Sequence, residues 1–136
     1  MFHVKRLVLI LMVLTLAACG GVRRATDLGG GGGHSVVGVL TSRDQARAAM
    51  GEGALAFDIR SSLEWSQGRL PGARNITLEE LREGRGLPDD PDALLLFYGA
   101  NPLDRTAEDA AELAAARGYK RVLYFSGGFE AWKSAK

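Results

Sequence analysis

The sequence predicts a small α/β domain built on a parallel sheet, and three observations carry that prediction. Short strand-like runs bounded by turn residues occur five times, helix signatures fall between them, and the stretch holding both suits one hydrophobic core but not two. No internal repeat competes with this reading.

Val36, Val37, Val39 and Leu40 make the first strand. Ser42 and Gln45 then stand at capping-box spacing and open a helix through Met50, which Gly51 and Gly53 stop. Ala54-Leu55-Ala56-Phe57 is a second, buried strand that ends in Asp58-Ile59-Arg60. Ser61 with Glu64 offers another capping box for a short helix containing Leu63 and Trp65. Gly68-Arg69-Leu70-Pro71-Gly72-Ala73 is a turn-rich bend, and Arg74-Asn75-Ile76 a brief strand. Thr77 with Glu80 caps a helix over residues 78–82, and the polar residues 84–92, with Pro88 and Pro91, form a loop.

Residues 94–98, LLLFY, form an unbroken apolar run between Asp92 and the turn Gly99-Ala100-Asn101-Pro102. A run of this length and punctuation reads as a parallel strand covered on both faces. Beyond it, Ala107, Ala110, Ala111 and Ala114 recur at i, i+3, i+4, i+7, and Thr106 with Asp109 has capping-box spacing, with Asp in place of Glu or Gln. A helix therefore begins near Thr106, and a strand, tight loop and helix N-terminus in succession aim backbone N–H groups at one point, which favours an anion or a thiolate. Residues 121–125, RVLYF, are the last buried strand, Gly127-Gly128 turns the chain, and residues 129–132 begin a closing helix. Trp65 and Trp132 are expected in the core.

Residues 1–18 read as a targeting segment. Lys5 and Arg6 supply a positive start, and residues 7–16 are apolar except for Thr15, too short for the roughly 20 residues of a membrane span. The segment ends Leu16-Ala17-Ala18-Cys19-Gly20, which resembles the lipobox of bacterial lipoproteins, where the cysteine is lipidated and the chain is cut just before it. Cys19 is the only cysteine, so the chain can form no internal disulfide and has no second thiol for redox or metal chemistry. Lipidated, Cys19 carries more than one acyl chain, enough for stable anchoring where a single chain is marginal. Residues 20–34, with five consecutive glycines, read as a flexible tether whose root-mean-square span is about 20 Å. The expected organisation is a signal peptide over 1–18, lipidated Cys19 and tether over 19–34, and one domain over 35–136. By the lipoprotein resemblance, Gly20 rather than aspartate after the lipid cysteine favours the periplasmic leaflet of the outer membrane in a Gram-negative cell.

Removing residues 1–18 leaves 118 residues with 15 basic and 16 acidic side chains, a formal charge of −1 that gives no reason to expect a nucleic-acid partner. Both histidines, His3 and His34, precede the domain, and no metal or cofactor cluster stands out.

The order Asp58-Ile59-Arg60 with Glu64-Trp65, then residues 68–73, an apolar strand into a loop, Gly118-Tyr119, and Gly127-Gly128 with Trp132 resembles the rhodanese-like domain family over residues 36–135. The resemblance implies a three-layer fold, a five-stranded parallel sheet with helices on both faces. It also implies that in active members the strand matching residues 94–98 is followed by a cysteine, whose thiolate accepts sulfane sulfur, while an arginine closing the loop helps hold the anionic substrate. Here the cysteine position is Gly99 and the arginine position Arg105; the seven residues Gly99, Ala100, Asn101, Pro102, Leu103, Asp104 and Arg105 exceed the six of typical sulfurtransferase loops and match phosphatase-like relatives. Asp104, pointed inward, repels an anion. Thr106 is the nearest hydroxyl and is expected as an N-cap, with no histidine after His34 to act as its base. Asp58 and Arg60, by the same resemblance supporting residues around the loop, are expected first as a buried or half-buried ion pair.

The expectation is therefore a lipid-anchored envelope protein whose rhodanese-like domain lacks cysteine chemistry, needs no cofactor and binds another envelope protein. Two alternatives stand beside it: a small-anion or persulfide sensor using residues 99–105, and a residual enzyme without a cysteine nucleophile.

Overall fold

A computed structural model of the chain describes residues 35–135. The expected signal segment, the lipid cysteine Cys19 and the tether lie outside the described residues. The elements in chain order are β1 (Val36–Leu40), α1 (Arg43–Gly51), β2 (Leu55–Asp58), α2 (Ser62–Gln67), β3 (Arg74–Asn75), α3 (Leu78–Arg82), β4 (Leu94–Tyr98), α4 (Thr106–Ala116), β5 (Arg121–Phe125) and α5 (Gly128–Ser134).

The five strands form one parallel sheet in the order β1-β5-β4-β2-β3. This places β4 at the centre, with Leu95 paired to Leu55 of β2 on one side and to Val122 of β5 on the other. A central parallel strand is covered on both faces, which is why β4 is apolar throughout rather than alternating. Its side chains divide two cores between them. Leu95 and Phe97 join Phe57, Leu81, Val122 and the alanine stripe of α4 on one face, whereas Leu96 and Tyr98 join Ala46, Ala49, Leu70 and Phe125 on the other. Ala107, Ala110, Ala111 and Ala114 are all buried, so α4 lies close against the sheet, where Phe57 and Phe97 stack with centroids 5.4 Å apart. Helices α3 and α4 cover the first face; α1 and the side chains Phe129, Ala131 and Trp132 of α5 cover the second. This is the three-layer α/β architecture.

Capping boxes form at Ser42/Gln45, Ser61/Glu64 and Thr77/Glu80, each with both reciprocal hydrogen bonds. The box expected at Thr106/Asp109 does not form. Arg105 occupies the N-cap position of α4 without a side-chain cap, because the Thr106 hydroxyl is already bound to Asp104 at 2.6 Å. Three further differences are small. β3 stops at Asn75, and Ile76, buried just beyond it, donates its N–H to the Asp58 carbonyl at 3.0 Å. Trp65, expected in the core, is half-buried: its indole N–H donates to the Ala73 carbonyl at 2.9 Å and Arg69 lies over its ring. Trp132 is half-buried too, packed against the core on one side with Arg43 and Arg47 over its ring.

Candidate functional site

At the carboxyl end of β4, residues 99–105 connect the central strand to α4, the position where open parallel sheets bind ligands. The loop is pinned from outside by α5. Phe129 N–H donates to the Gly99 carbonyl at 2.9 Å and Glu130 N–H to the Ala100 carbonyl at 3.0 Å. Gly128 permits this approach: its φ is +65°, and a Cβ there would stand 2.7 Å from Asn101 N and 2.9 Å from the Gly99 carbonyl oxygen.

Inside the loop, Asn101 closes a β-turn with Pro102 at its second position. Asp104 N–H donates to the Asn101 carbonyl at 3.1 Å, and Leu103 N–H donates to Asn101 Oδ1 at 2.9 Å. The turn leaves Leu103 92% exposed at its tip. Asp104 points inward. Its Oδ2 accepts from Ala100 N–H at 2.9 Å, while its Oδ1 accepts from Thr106 N–H at 3.0 Å and from the Thr106 hydroxyl at 2.6 Å. Burial pushes the Asp104 carboxyl up, but these three hydrogen bonds outweigh it and hold the group below its usual range. The carboxylate fills the space in front of Gly99, where an added Cβ would lie 2.5 Å from Oδ2.

Arg105 does not enter the loop. Its guanidinium, 76% exposed, pairs with Glu108 at 2.8 Å on the outer surface of α4. The i,i+3 spacing brings the carboxylate to it at the cost of little chain entropy. Pro102, Asp104, Arg105, Tyr124 and Ser126 flank a cavity of about 190 Å³ beside the loop.

Beneath the carboxyl ends of the strands, Asp58 and Arg60 form a buried ion pair. Asp58 is fully buried, and Arg60 reaches it from Nη2 to Oδ2 at 2.7 Å and from Nε to Oδ1 at 3.0 Å. The Arg60 backbone N–H also donates to Oδ1 at 2.9 Å, and the Tyr98 hydroxyl donates to Oδ2 at 2.8 Å. Arg60 Nη2 donates to the Gly68 carbonyl at 2.6 Å, and the guanidinium stacks 4.1 Å from the Phe129 ring centroid. Burial raises the Tyr98 pKa strongly; the Leu70 N–H bond to its oxygen opposes this, and the bond to Asp58 reinforces it. The hydroxyl stays protonated. Arg60 is thus committed to structure on its Asp58 side and lines a cleft of about 330 Å³ with Glu64, Gln67, Gly68, Phe129 and Lys133 on the other.

The structure brings Gly99, Ala100, Asp104 and Thr106 together, turns Leu103 and Arg105 outward, and sets Asp58 and Arg60 in a separate buried network. Three contributors were given no role at the loop by the sequence, although Gly128 belongs to the motifs that carry the family resemblance. Tyr98 reads as one more apolar residue, although a hydroxyl ending a buried strand must find a partner. Asn75, whose Nδ2 donates to the carbonyls of Asp58 and Arg60, acts through tertiary contacts that carry no local signal, and Gly128, legible as a turn, shows its contact with the loop only in the fold. Among the described residues no group of three His, Cys, Asp or Glu side chains could hold a metal ion.

Known proteins resemble this chain in sequence and fold. The chain is 30% identical to the thiosulfate sulfurtransferase GlpE of Pseudomonas entomophila, over 68% of this chain and 83% of that protein. A Rhodopseudomonas palustris structure described as a possible tyrosine phosphatase aligns with a TM-score of 0.57 at 32% identity, covering 71% of this chain and 80% of its own. The human single-domain sulfurtransferase TSTD1 has the same fold, with a TM-score of 0.61 at 23% identity over 77% of this chain and 99% of its own. Residues 42–135 match the rhodanese-like domain, and with the five-stranded sheet and the loop after its central strand in place, the chain belongs to the rhodanese-like domain family.

Proposed function

We propose that this protein is a non-catalytic rhodanese-like module, held on a membrane of the cell envelope by lipidated Cys19, that binds another envelope protein. One observation carries the non-catalytic part: the position immediately after β4 is Gly99, and the space in front of it holds the Asp104 carboxylate rather than a thiol. Sulfur transfer and cysteine-dependent phosphoryl transfer both need a nucleophile at that point. The only cysteine of the chain is Cys19. Thr106 is a weak substitute, because its hydroxyl donates to a carboxylate whose lowered pKa makes it a poor base.

The same geometry favours a protein partner over a small-anion sensor. The N–H groups of Ala100, Leu103, Asp104 and Thr106 already donate within the loop, and Arg105 faces Glu108. The surface left for recognition is the fixed turn with Leu103 at its tip, an apolar side chain presented at little further entropic cost. Membrane anchoring is supported by Leu16-Ala17-Ala18-Cys19 at the end of the apolar segment.

Crosslinking and pull-down from membranes tests the binding role. The wild-type chain should capture a defined partner that Leu103→Asp loses while remaining folded; capture that is identical for both would remove the loop from the interface.

A further inference from the structure

The buried ion pair leaves part of Arg60 unused. A guanidinium offers N–H donors from all three of its nitrogens. Nε donates to Asp58 Oδ1 at 3.0 Å and reaches Oδ2 at 3.2 Å, while Nη2 donates to Asp58 Oδ2 and to the Gly68 carbonyl. Nη1 meets no partner among the described residues, in a side chain only 6% exposed. Nor is it sealed off: among the described residues Arg43 Nε is a buried nitrogen without a partner, and Arg60 Nη1 is not. The opening that reaches Arg60 is the cleft of about 330 Å³ between α2 and α5, which no residue of 99–106 lines.

The rest of the cleft suits an anion on an apolar stem. The Phe129 ring lies between α2 and α5 with the Arg60 guanidinium 4.1 Å and Lys133 Nζ 5.2 Å from its centroid. Gly68 lets the ring close against the turn after α2, since a Cβ there would stand 3.0 Å from Phe129 Cζ. Asp58 neutralises the charge of Arg60 but leaves Nη1 able to donate. Lys133, exposed and in no ion pair among the described residues, supplies uncompensated positive charge. Glu64 is the acidic side chain lining the cleft, and its Oε2 is drawn back to the Ser61 N–H at 3.2 Å and the Ser61 hydroxyl at 2.7 Å.

We propose that this cleft binds a carboxylate, the acidic side chain of a protein partner, with Arg60 Nη1 and Lys133 Nζ holding its oxygens and the Phe129 ring packing its methylene stem. The volume lies at the lower end of ligand pockets, room for one side chain rather than a large cofactor. The inference rests on the protein-binding reading only for the source of the carboxylate.

Glutamate capped as its N-acetyl α-amide is the direct probe, and capped glutamine is its uncharged control. In the full chain, capped glutamate should give saturable amide shifts at Gln67, Gly68 and Lys133 in the millimolar range, and capped glutamine none. Lys133→Gln should weaken binding at least about threefold, and Glu64→Gln, which keeps the capping box but removes the like charge, should tighten it by a similar factor. Both positions are exposed, so the fold is not at stake. No shift with capped glutamate, equal shifts with capped glutamine, or an affinity unchanged by Lys133→Gln or lowered by Glu64→Gln overturns the proposal. Propionate binding with capped glutamate excluded overturns the side chain as the source. The two readings fail separately. An unresponsive cleft leaves the Leu103 capture test standing, whereas equal capture by Leu103→Asp removes the loop from the interface and leaves the titration unaffected.

Discussion

Fully buried, the Asp58 carboxylate is tolerated because the Arg60 guanidinium, the Arg60 backbone N–H and the Tyr98 hydroxyl all reach it. Asp58→Ala leaves the Arg60 charge buried without its counter-ion and should cost about 3–5 kcal/mol. Tyr98→Phe, which strips one donor from Asp58 and the acceptor from Leu70 N–H, should cost about 1–3 kcal/mol. Urea unfolding of both variants and of their double mutant measures these values, and the double should fall short of the sum because the Tyr98 hydroxyl and the Asp58 carboxylate bond each other. Asp104 sets a pH dependence of definite sign. Its folded pKa lies below its unfolded value, so its stabilisation is complete above the unfolded pKa and is lost as pH falls through the folded one. Below about pH 4, wild-type stability should therefore drop more steeply than that of Asp104→Ala. The pairing of Asp58 with Arg60 was legible because the partners stand two residues apart at a strand end. The inward turn of Asp104 was legible only as a condition, and the outward turn of Arg105 was not, since Glu108 and an anion in the loop compete for the same guanidinium.

Helix starts were the most legible elements, because a capping box is a local device with its donor and acceptor three residues apart. Ser42→Ala and Thr77→Ala should each cost about 1 kcal/mol in thermal or urea unfolding. The start of α4 breaks the pattern in a way that can be checked. Asp104 has taken the Thr106 hydroxyl, so Asp109→Ala should fall within about 0.5 kcal/mol of wild type. The junction between α5 and the loop was not legible, because Gly127-Gly128 reads as any turn until Gly99 and Ala100 are seen across from it. Gly128→Ala should cost at least about 2 kcal/mol, since it combines a positive φ with a Cβ driven into the backbone at Asn101 and Ala100. Loss of that contact should also loosen the loop, seen as faster amide exchange at Phe129 and Glu130.

For the molecule as a whole, the apolar runs and the intervening helices announced the α/β class, while the strand order β1-β5-β4-β2-β3 depends on long-range packing that no window of sequence contains. That order places β4 centrally and so sets its loop mid-sheet at the carboxyl edge, where the family resemblance had placed the chemistry. The proposed anchor belongs to this scale as well. Cys19→Ser should move the protein from the membrane fraction to the soluble fraction and abolish incorporation of labelled fatty acid; unchanged membrane retention would point to a different attachment. The proposed absence of cysteine-type catalysis in the domain is open to one assay, thiocyanate formation from thiosulfate and cyanide with the purified wild-type chain. A rate indistinguishable from buffer is expected, and turnover above that background that scales with protein concentration would overturn the non-catalytic reading.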